Sequence, residues 1–406
     1  MRSIALGQEV PPKAHVGHGI ASPIQRARRF SVSVSHSPRL THAHGGGRLA
    51  VMVLAASMTL GACRDRSLLP YSEDSTPLVL VPASQAAVED KRGRFREIFC
   101  SILEERGRTL PDYRPCDDAL TRIGGEPKGT GRPVDLGQSR RRLVAAIVPG
   151  LGADCFADWL SPRHTVTDHV RRFGYDQVIL EVDGLSSTTR NARQIRDAIV
   201  EMKSGDTTRN LVLIGYSKGA PDILEALVTY PEIRQWVAAV VSGGGAVGGS
   251  PLANDATQSL LELMKHWPKA RCTRGDGGAM ESLRPATRKA WLATHPLPSD
   301  VRYYSLVSYP SPERISSVLK PSYDRLSQVD ARNDGQILFY DQIIPGSVLL
   351  GYVNADHWAL AVPVARSHST LGSTVVDQND YPREALVEAV LRFVEEDLAE
   401  PRDAAG

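Results

Sequence analysis

The chain lacks a dominant charge. Its 48 Lys and Arg nearly balance 46 Asp and Glu, for a formal net charge of +2 over 406 residues. No Arg/Lys stripe with interleaved aromatics occurs, so nucleic acid is excluded as an expected partner. The chain also lacks an apolar run long enough to cross a bilayer: Leu49 to Leu60 is too short for a mature spanning helix. Residues 1–47 lack any periodic apolar pattern and are rich in Ser, His, Gly and Arg, which excludes an ordinary folded core there. Cysteine is sparse, with five residues. What is present is ordinary for a globular protein: 42% hydrophobic and 23% charged residues. The length allows two average domains or one α/β domain.

Arg48 followed by Leu49–Leu60 has the form of a signal-peptide core. It ends in Leu60-Gly61-Ala62-Cys63, which resembles a bacterial lipobox, in which the cysteine is lipidated and becomes the mature N-terminus. That resemblance implies export to the cell envelope and a membrane partner through the N-terminal lipid. Arg64, rather than Asp, follows Cys63 and permits outer-membrane sorting in a double-membraned bacterium. Arg28-Arg29-Phe30 lies too far from the apolar core to read as a twin-arginine signal.

Export fits the remaining cysteines. Cys100, Cys116, Cys155 and Cys272 are an even set in an oxidising compartment and allow three pairings. Cys100 with Cys116 is the simplest, stapling a short helical segment across a Pro-rich turn. It would leave Cys155 with Cys272, joining the loop after the first core strand to a later insertion. Four reduced, buried thiols are the alternative. Cys155 has no His at a motif-like spacing and does not read as a nucleophile.

The organisation reads as a leader over 1–62, a tether over 63–93, a helical extension over 94–140 packed outside the main domain, and that domain over 141–400. Strands are expected at Leu143–Val148, Asp176–Val182, Leu211–Ile214, Trp236–Ser242, Tyr303–Ser308 and Ser347–Val353, alternating with helices at 191–202, 220–230 and from Pro382 onward. The alternation predicts a mostly parallel sheet covered by helices on both faces, with reactive groups beyond the carboxyl ends of its strands. Residues 251–298 interrupt it. Their two helical stretches, Thr257–Trp267 and Met280–Ala293, carry Trp267, Trp291 and several Leu, and read as a lid, with an inert surface insertion as the alternative.

Gly215-Tyr216-Ser217-Lys218-Gly219 fits the G-x-S-x-G nucleophile elbow, in which a sharp strand-to-helix turn lifts a serine hydroxyl out. The pentapeptide alone is weak, but here a strand precedes it and a helix follows. A serine needs a base, the base an orienting acid, and the oxyanion fixed donors. His357, in Asp356-His357-Trp358 directly after the last strand, is the candidate base; His266, His295 and His368 read as surface residues. Asp334, in the tight turn Asn333-Asp334-Gly335, is the candidate acid, with Asp330 and Asp341 as rivals. The backbone N–H groups of Leu151 and Lys218 are the candidate oxyanion donors, Gly152 standing close behind Leu151. The Lys218 side chain is expected at a pocket rim or in solvent.

These motifs, in this order and together with Pro149-Gly150-Leu151-Gly152, resemble the serine esterases and lipases of the α/β-hydrolase superfamily over about Leu143 to Leu398. The resemblance implies an α/β-hydrolase fold and carboxylic-ester hydrolysis through an acyl-enzyme. Ser217 would attack, His357 would shuttle the proton and Asp334 would hold the imidazolium, with no metal or organic cofactor. Many lipases have His-Gly where this chain has Pro149-Gly150. The Trp and Leu content of the insertion favours an apolar acyl ester, from a small molecule or a lipid. The same triad serves thioesters, polyesters or amides. A non-catalytic surface lipoprotein that binds through the pocket is the alternative of another class.

Overall fold

The computed structural model describes residues 88–155, 166–255, 272–273 and 275–400. The chain divides into two units, Met1–Leu68 and Leu69–Gly406, and all described residues belong to the second. The leader, Cys63, most of the tether and residues 256–271 of the insertion, with His266 and Trp267, lie outside the described residues.

The sheet has eight strands: β1 (Glu89–Asp90), β2 (Leu120–Thr121), β3 (Val144–Val148), β4 (Asp176–Ile179), β5 (Leu211–Tyr216), β6 (Val237–Gly243), β7 (Arg302–Ser308) and β8 (Val348–Val353). Their order is β1-β8-β7-β6-β5-β3-β4, and all pairings are parallel except that of β2, which runs antiparallel along β8. Central parallel strands are covered on both faces and so read as continuous apolar runs. Val237-Ala-Ala-Val-Val in β6 and Val348-Leu-Leu in β8 are buried throughout. This is the α/β architecture expected from the alternation, with each core strand bounded within a few residues of its expected limits.

Among the described residues, the helices of ten residues or more are α1 (Arg92–Arg106), α2 (Thr188–Met202), α3 (Gly219–Thr229), α4 (Pro285–Thr294) and α5 (Arg383–Asp397). In α2 the buried residues Thr188, Asn191, Ala192, Ile195 and Ile199 fall on one helical stripe, and the Ser187 side chain caps its start by accepting from Arg190 N–H. Met202 is displaced from that stripe to the exposed side. In α5, Leu386, Val390, Phe393 and Val394 are all buried, as their spacing predicts.

The N-terminal segment differs from the expectation. It does not sit outside the domain, and the tether ends before residue 93, because β1 and β2 complete the sheet edge along β8. Between them α1 buries Phe95, Ile98, Phe99, Ile102 and Leu103 in the same core cluster as β8 and α5. At roughly 1.5–3 kcal/mol gross per fully buried side chain, that stripe is core rather than decoration. Arg92, Arg94 and Arg96 disguise it, because each is buried and reaches a carboxylate: Asp90 at 2.7 Å, Glu396 at 2.8 Å and Glu126 at 2.5 Å.

Cys100 is bonded to Cys116 and Cys155 to Cys272, the pairing in which the first bridge is the simplest. The first bridge closes a segment of sequence separation 16 between α1 and the turn into β2. Replacing both cysteines by serine is expected to cost about 3 kcal/mol through the freer unfolded chain. Urea unfolding of the oxidised parent beside the double variant checks it.

The described part of the insertion is built into the fold. Ala279 and Leu283 of a short helix, and Arg288 and Leu292 of α4, are buried. Thr188 N–H donates to Ser282 Oγ at 3.1 Å, and Ser250 N–H to Leu283 O at 2.9 Å. Trp291 packs against the core cluster around α2 and α3, between the Arg288 guanidinium at 4.6 Å and the His295 ring at 4.9 Å. It is therefore committed to packing and carries no argument for an apolar acyl group.

Candidate active site

Ser217 follows β5 directly and stands at φ +54°, the left-handed region that L side chains other than Gly and Asn avoid. That conformation costs roughly 1–2 kcal/mol and persists only where the surroundings enforce it. The motif glycines show how. A Cβ on Gly219 would lie 2.1 Å from Val148 O, and one on Gly215 would lie 2.5 Å from the Ala220 backbone. β3, β5 and α3 thus close on the turn too tightly for side chains, and the serine hydroxyl is left at the carboxyl end of the sheet.

His357 Nε2 lies 2.9 Å from Ser217 Oγ, and His357 Nδ1 lies 2.7 Å from Asp334 Oδ2. The structure therefore brings together the three side chains singled out from sequence, although they are spread over 140 residues. Asp334 is fully buried and His357 is 4% exposed. Gly335, at φ +90°, turns the chain sharply after Asp334, and its N–H donates to Asn333 Oδ1 at 2.9 Å. Asp334 Oδ1 then accepts from Gln336 N–H at 2.9 Å and Ile337 N–H at 2.7 Å, which leaves Oδ2 directed at the imidazole.

His357 opens a short helix, His357–Ala361, capped by Asp356, whose carboxylate accepts from Ala359 N–H at 2.7 Å and Ser316 N–H at 2.8 Å. Asp356 is therefore spent on the helix start and does not serve the adjacent ring. His357 N–H donates to Asp334 O at 3.0 Å, so the base and the acid are joined through main chain as well.

Two supporting residues escaped the sequence reading. The Tyr216 hydroxyl donates to His357 O at 2.7 Å, and its ring centroid is 5.1 Å from the imidazole. Burial pushes its phenol well above the ordinary value, with Asp334 and Asp356 adding to the effect, so it stays a donor. The Gln342 amide locks onto Ser308, donating to its carbonyl at 3.0 Å and accepting from its N–H at 2.7 Å. Gln342 Nε2 also stands 3.4 Å from Asp334 Oδ2. Neither carries a sequence signal: one is a variable position of the elbow, the other a lone glutamine at the end of a single 3₁₀ turn, Phe339–Gln342.

The oxyanion candidates flank the serine. Gly150 lies against it, since a Cβ there would come within 2.8 Å of Ser217 Cβ and 3.3 Å of Oγ. Among the described residues, neither Leu151 N–H nor Lys218 N–H donates to another protein group. Gly152 N–H is spent on Gly184 O at 3.2 Å. The Lys218 side chain is not at a rim or in solvent. It is 1% exposed and donates to both oxygens of Asp222, each at 2.8 Å.

The rival groups are accounted for elsewhere. Asp330 is held by Arg332 at 2.7 Å; although burial pushes its carboxyl up, the Arg332 side chain and N–H bring it below the ordinary value. His295 bonds Trp291 O at 3.0 Å. Asp341 is buried, its Oδ1 has no hydrogen-bond partner among the described residues, and Lys289 stands 3.8 Å away. Burial pushes its carboxyl up to about 7 against the pull of Lys289. A carboxyl raised in the folded state favours folding while it is protonated. Stability should fall as pH rises from the unfolded value near 4 through about 7, by up to about 4 kcal/mol. Asp341→Asn should therefore raise the unfolding midpoint at about pH 8 and leave it nearly unchanged at about pH 4, as paired thermal melts would show. Among the described residues, no group of three or more His, Cys, Asp or Glu is placed to hold a metal ion.

A mostly parallel sheet with a strained serine after a central strand and a histidine after the last defines the α/β-hydrolase class. The metagenomic carboxyl esterase MGS0156 is 44% identical to this chain, with a TM-score of 0.73 over 79% of this chain and 96% of that one. The chain belongs to this carboxyl esterase family and is a carboxylic-ester hydrolase of α/β-hydrolase fold. The mature form of Bacillus licheniformis lipase BlEst2 is 20% identical, with a TM-score of 0.44 over 60% of this chain and 93% of that one. EstA from Clostridium botulinum is 12% identical, with a TM-score of 0.45 over 74% and 97%. Those two are too distant to add to the assignment. A scan of protein-family models and a search of curated proteins return no match.

Proposed function

We propose that the protein cleaves carboxylic esters through a covalent acyl-enzyme formed on Ser217. The observation that supports this most is the chain of contacts from Ser217 Oγ through both nitrogens of His357 to Asp334. His357 Nε2 takes the hydroxyl proton as Oγ attacks the carbonyl carbon, and returns it to the leaving alcohol. Water then repeats the sequence in reverse roles and frees the acid and Ser217. Asp334 keeps the Nδ1 proton in place and stabilises the imidazolium. The N–H groups of Leu151 and Lys218 receive the oxyanion.

Lipidation at Cys63 would hold the enzyme at the bacterial cell envelope, within reach of acyl esters in or near a membrane. Two experiments test this reading. Hydrolysis of p-nitrophenyl esters from acetate to palmitate should be measurable and should size the acyl site by chain length; no hydrolysis of any of them would sink the esterase proposal. An alkyne-bearing fatty acid fed to an expressing bacterium should label the chain and fail to label Cys63→Ala. Equal labelling of both would remove the anchor.

A further inference from the structure

The variable position after the serine carries the most buried lysine among the described residues, and nothing in the ester chemistry requires a lysine there. Lys218 is 1% exposed, and so is its partner Asp222, on the first turn of α3. Asp222 accepts three hydrogen bonds: two from Lys218 Nζ at 2.8 Å and one from Asn191 Nδ2 of α2, also at 2.8 Å. Arg288 of α4, itself 1% exposed, adds a second positive charge facing Asp222 and Glu225. It donates from Nε to Val247 O at 3.2 Å. Polar and charged groups from α2, α3 and α4 thus converge beneath the nucleophile turn.

A buried ion pair is weak evidence for stability, because well-packed apolar residues often replace one without loss. Its position argues for another role. Ser217 is held in a left-handed conformation that ordinary side chains leave when free to do so. Any relaxation rotates the peptide joining Ser217 to Lys218, and that peptide carries the Lys218 N–H. The Lys218 side chain loops forward four residues and is gripped by Asp222, which fixes the far side of the same peptide. Asn191 in turn fixes Asp222 through its hydrogen bond.

We infer that Lys218, Asp222 and Asn191 form a buried brace that positions the Lys218 N–H for the developing oxyanion. Their side chains act as positioning groups through the main chain and do not themselves touch the substrate. The inference rests on Ser217 being the nucleophile. An oxyanion donor matters only once charge develops, so loosening the brace should lower kcat and leave KM nearly untouched.

The test uses the full chain in detergent, with p-nitrophenyl butyrate as substrate and a fluorophosphonate as covalent probe. The double variant Lys218→Met/Asp222→Leu removes both buried charges at similar volume. The brace predicts an unfolding midpoint close to the parent's, kcat lower by about tenfold or more, KM within about threefold, and slower labelling of Ser217. A purely structural ion pair predicts parent-like kcat in the folded double variant, and that result overturns the brace. If the double variant does not fold, Asn191→Ser withdraws one donor and leaves the ion pair intact. It should then lower kcat about threefold or more at unchanged KM, and an unchanged kcat overturns the brace equally. Absence of labelling in the parent is a different failure, since it removes the serine reading beneath the brace.

Discussion

Ser217→Ala is expected to lower kcat/KM on carboxylic esters by at least about 10⁴-fold, with the fold retained. The loss is large because the substitution removes the bond-forming atom, so base and acid have nothing to act on. What remains is the oxyanion site and substrate binding, which alone still exceed water by about 10³–10⁴-fold. The fold should tolerate the change. The side chain loses one oxygen and the turn keeps its backbone, because the closeness of β3 and α3 at Gly219 imposes φ +54° on any residue at this position. Initial rates on p-nitrophenyl butyrate, beside a thermal melt of parent and variant, check both halves. A folded variant with more than a few per cent of parental activity would move the nucleophile elsewhere.

Asp334→Asn is expected to cost about 10³–10⁴-fold in kcat. The substitution is nearly isosteric. Asn Oδ1 can keep the bonds from Gln336 and Ile337 N–H, so the loop should hold its shape. The atom facing His357 Nδ1 across 2.7 Å then becomes an NH₂ donor instead of a carboxylate acceptor. The imidazole must turn its unprotonated nitrogen toward that donor and place its proton on Nε2. Nε2 faces Ser217 Oγ and can then no longer accept the serine's proton. The charge that would stabilise the imidazolium is lost at the same time. Steady-state kinetics with a circular-dichroism comparison test this; a folded Asp334→Asn within about tenfold of the parent would show that another group orients the base.

The fold was legible where periodicity is strong. The core strands are long, apolar and separated by helices, and each lies within a few residues of its expected limits. The reading failed at the N-terminus for two physical reasons. β1 and β2 have two residues each, too short for any alternation to show. The apolar stripe of α1 is interleaved with Arg92, Arg94 and Arg96, and the pairing of Arg94 with Glu396 and of Arg96 with Glu126, distant in sequence, is invisible until the chain is folded.

At the site, Ser217, His357 and Asp334 were legible because each sits in a local motif tied to a strand end or a glycine turn. Tyr216, Gln342 and the Lys218–Asp222 pair were not, because they act through contacts that only packing creates. Lys218 misled most, since a lone lysine reads as solvated unless its partner is known. Asp222 stands four residues on, a spacing equally common on exposed helix faces.

The most direct test of the account is mass spectrometry of the full chain after reaction with a fluorophosphonate, followed by digestion. One adduct per chain is expected, on the peptide bearing Ser217, with none in Ser217→Ala. An unlabelled parent, or an adduct carried on a different residue, would contradict the assignment of Ser217, His357 and Asp334 as the catalytic machinery.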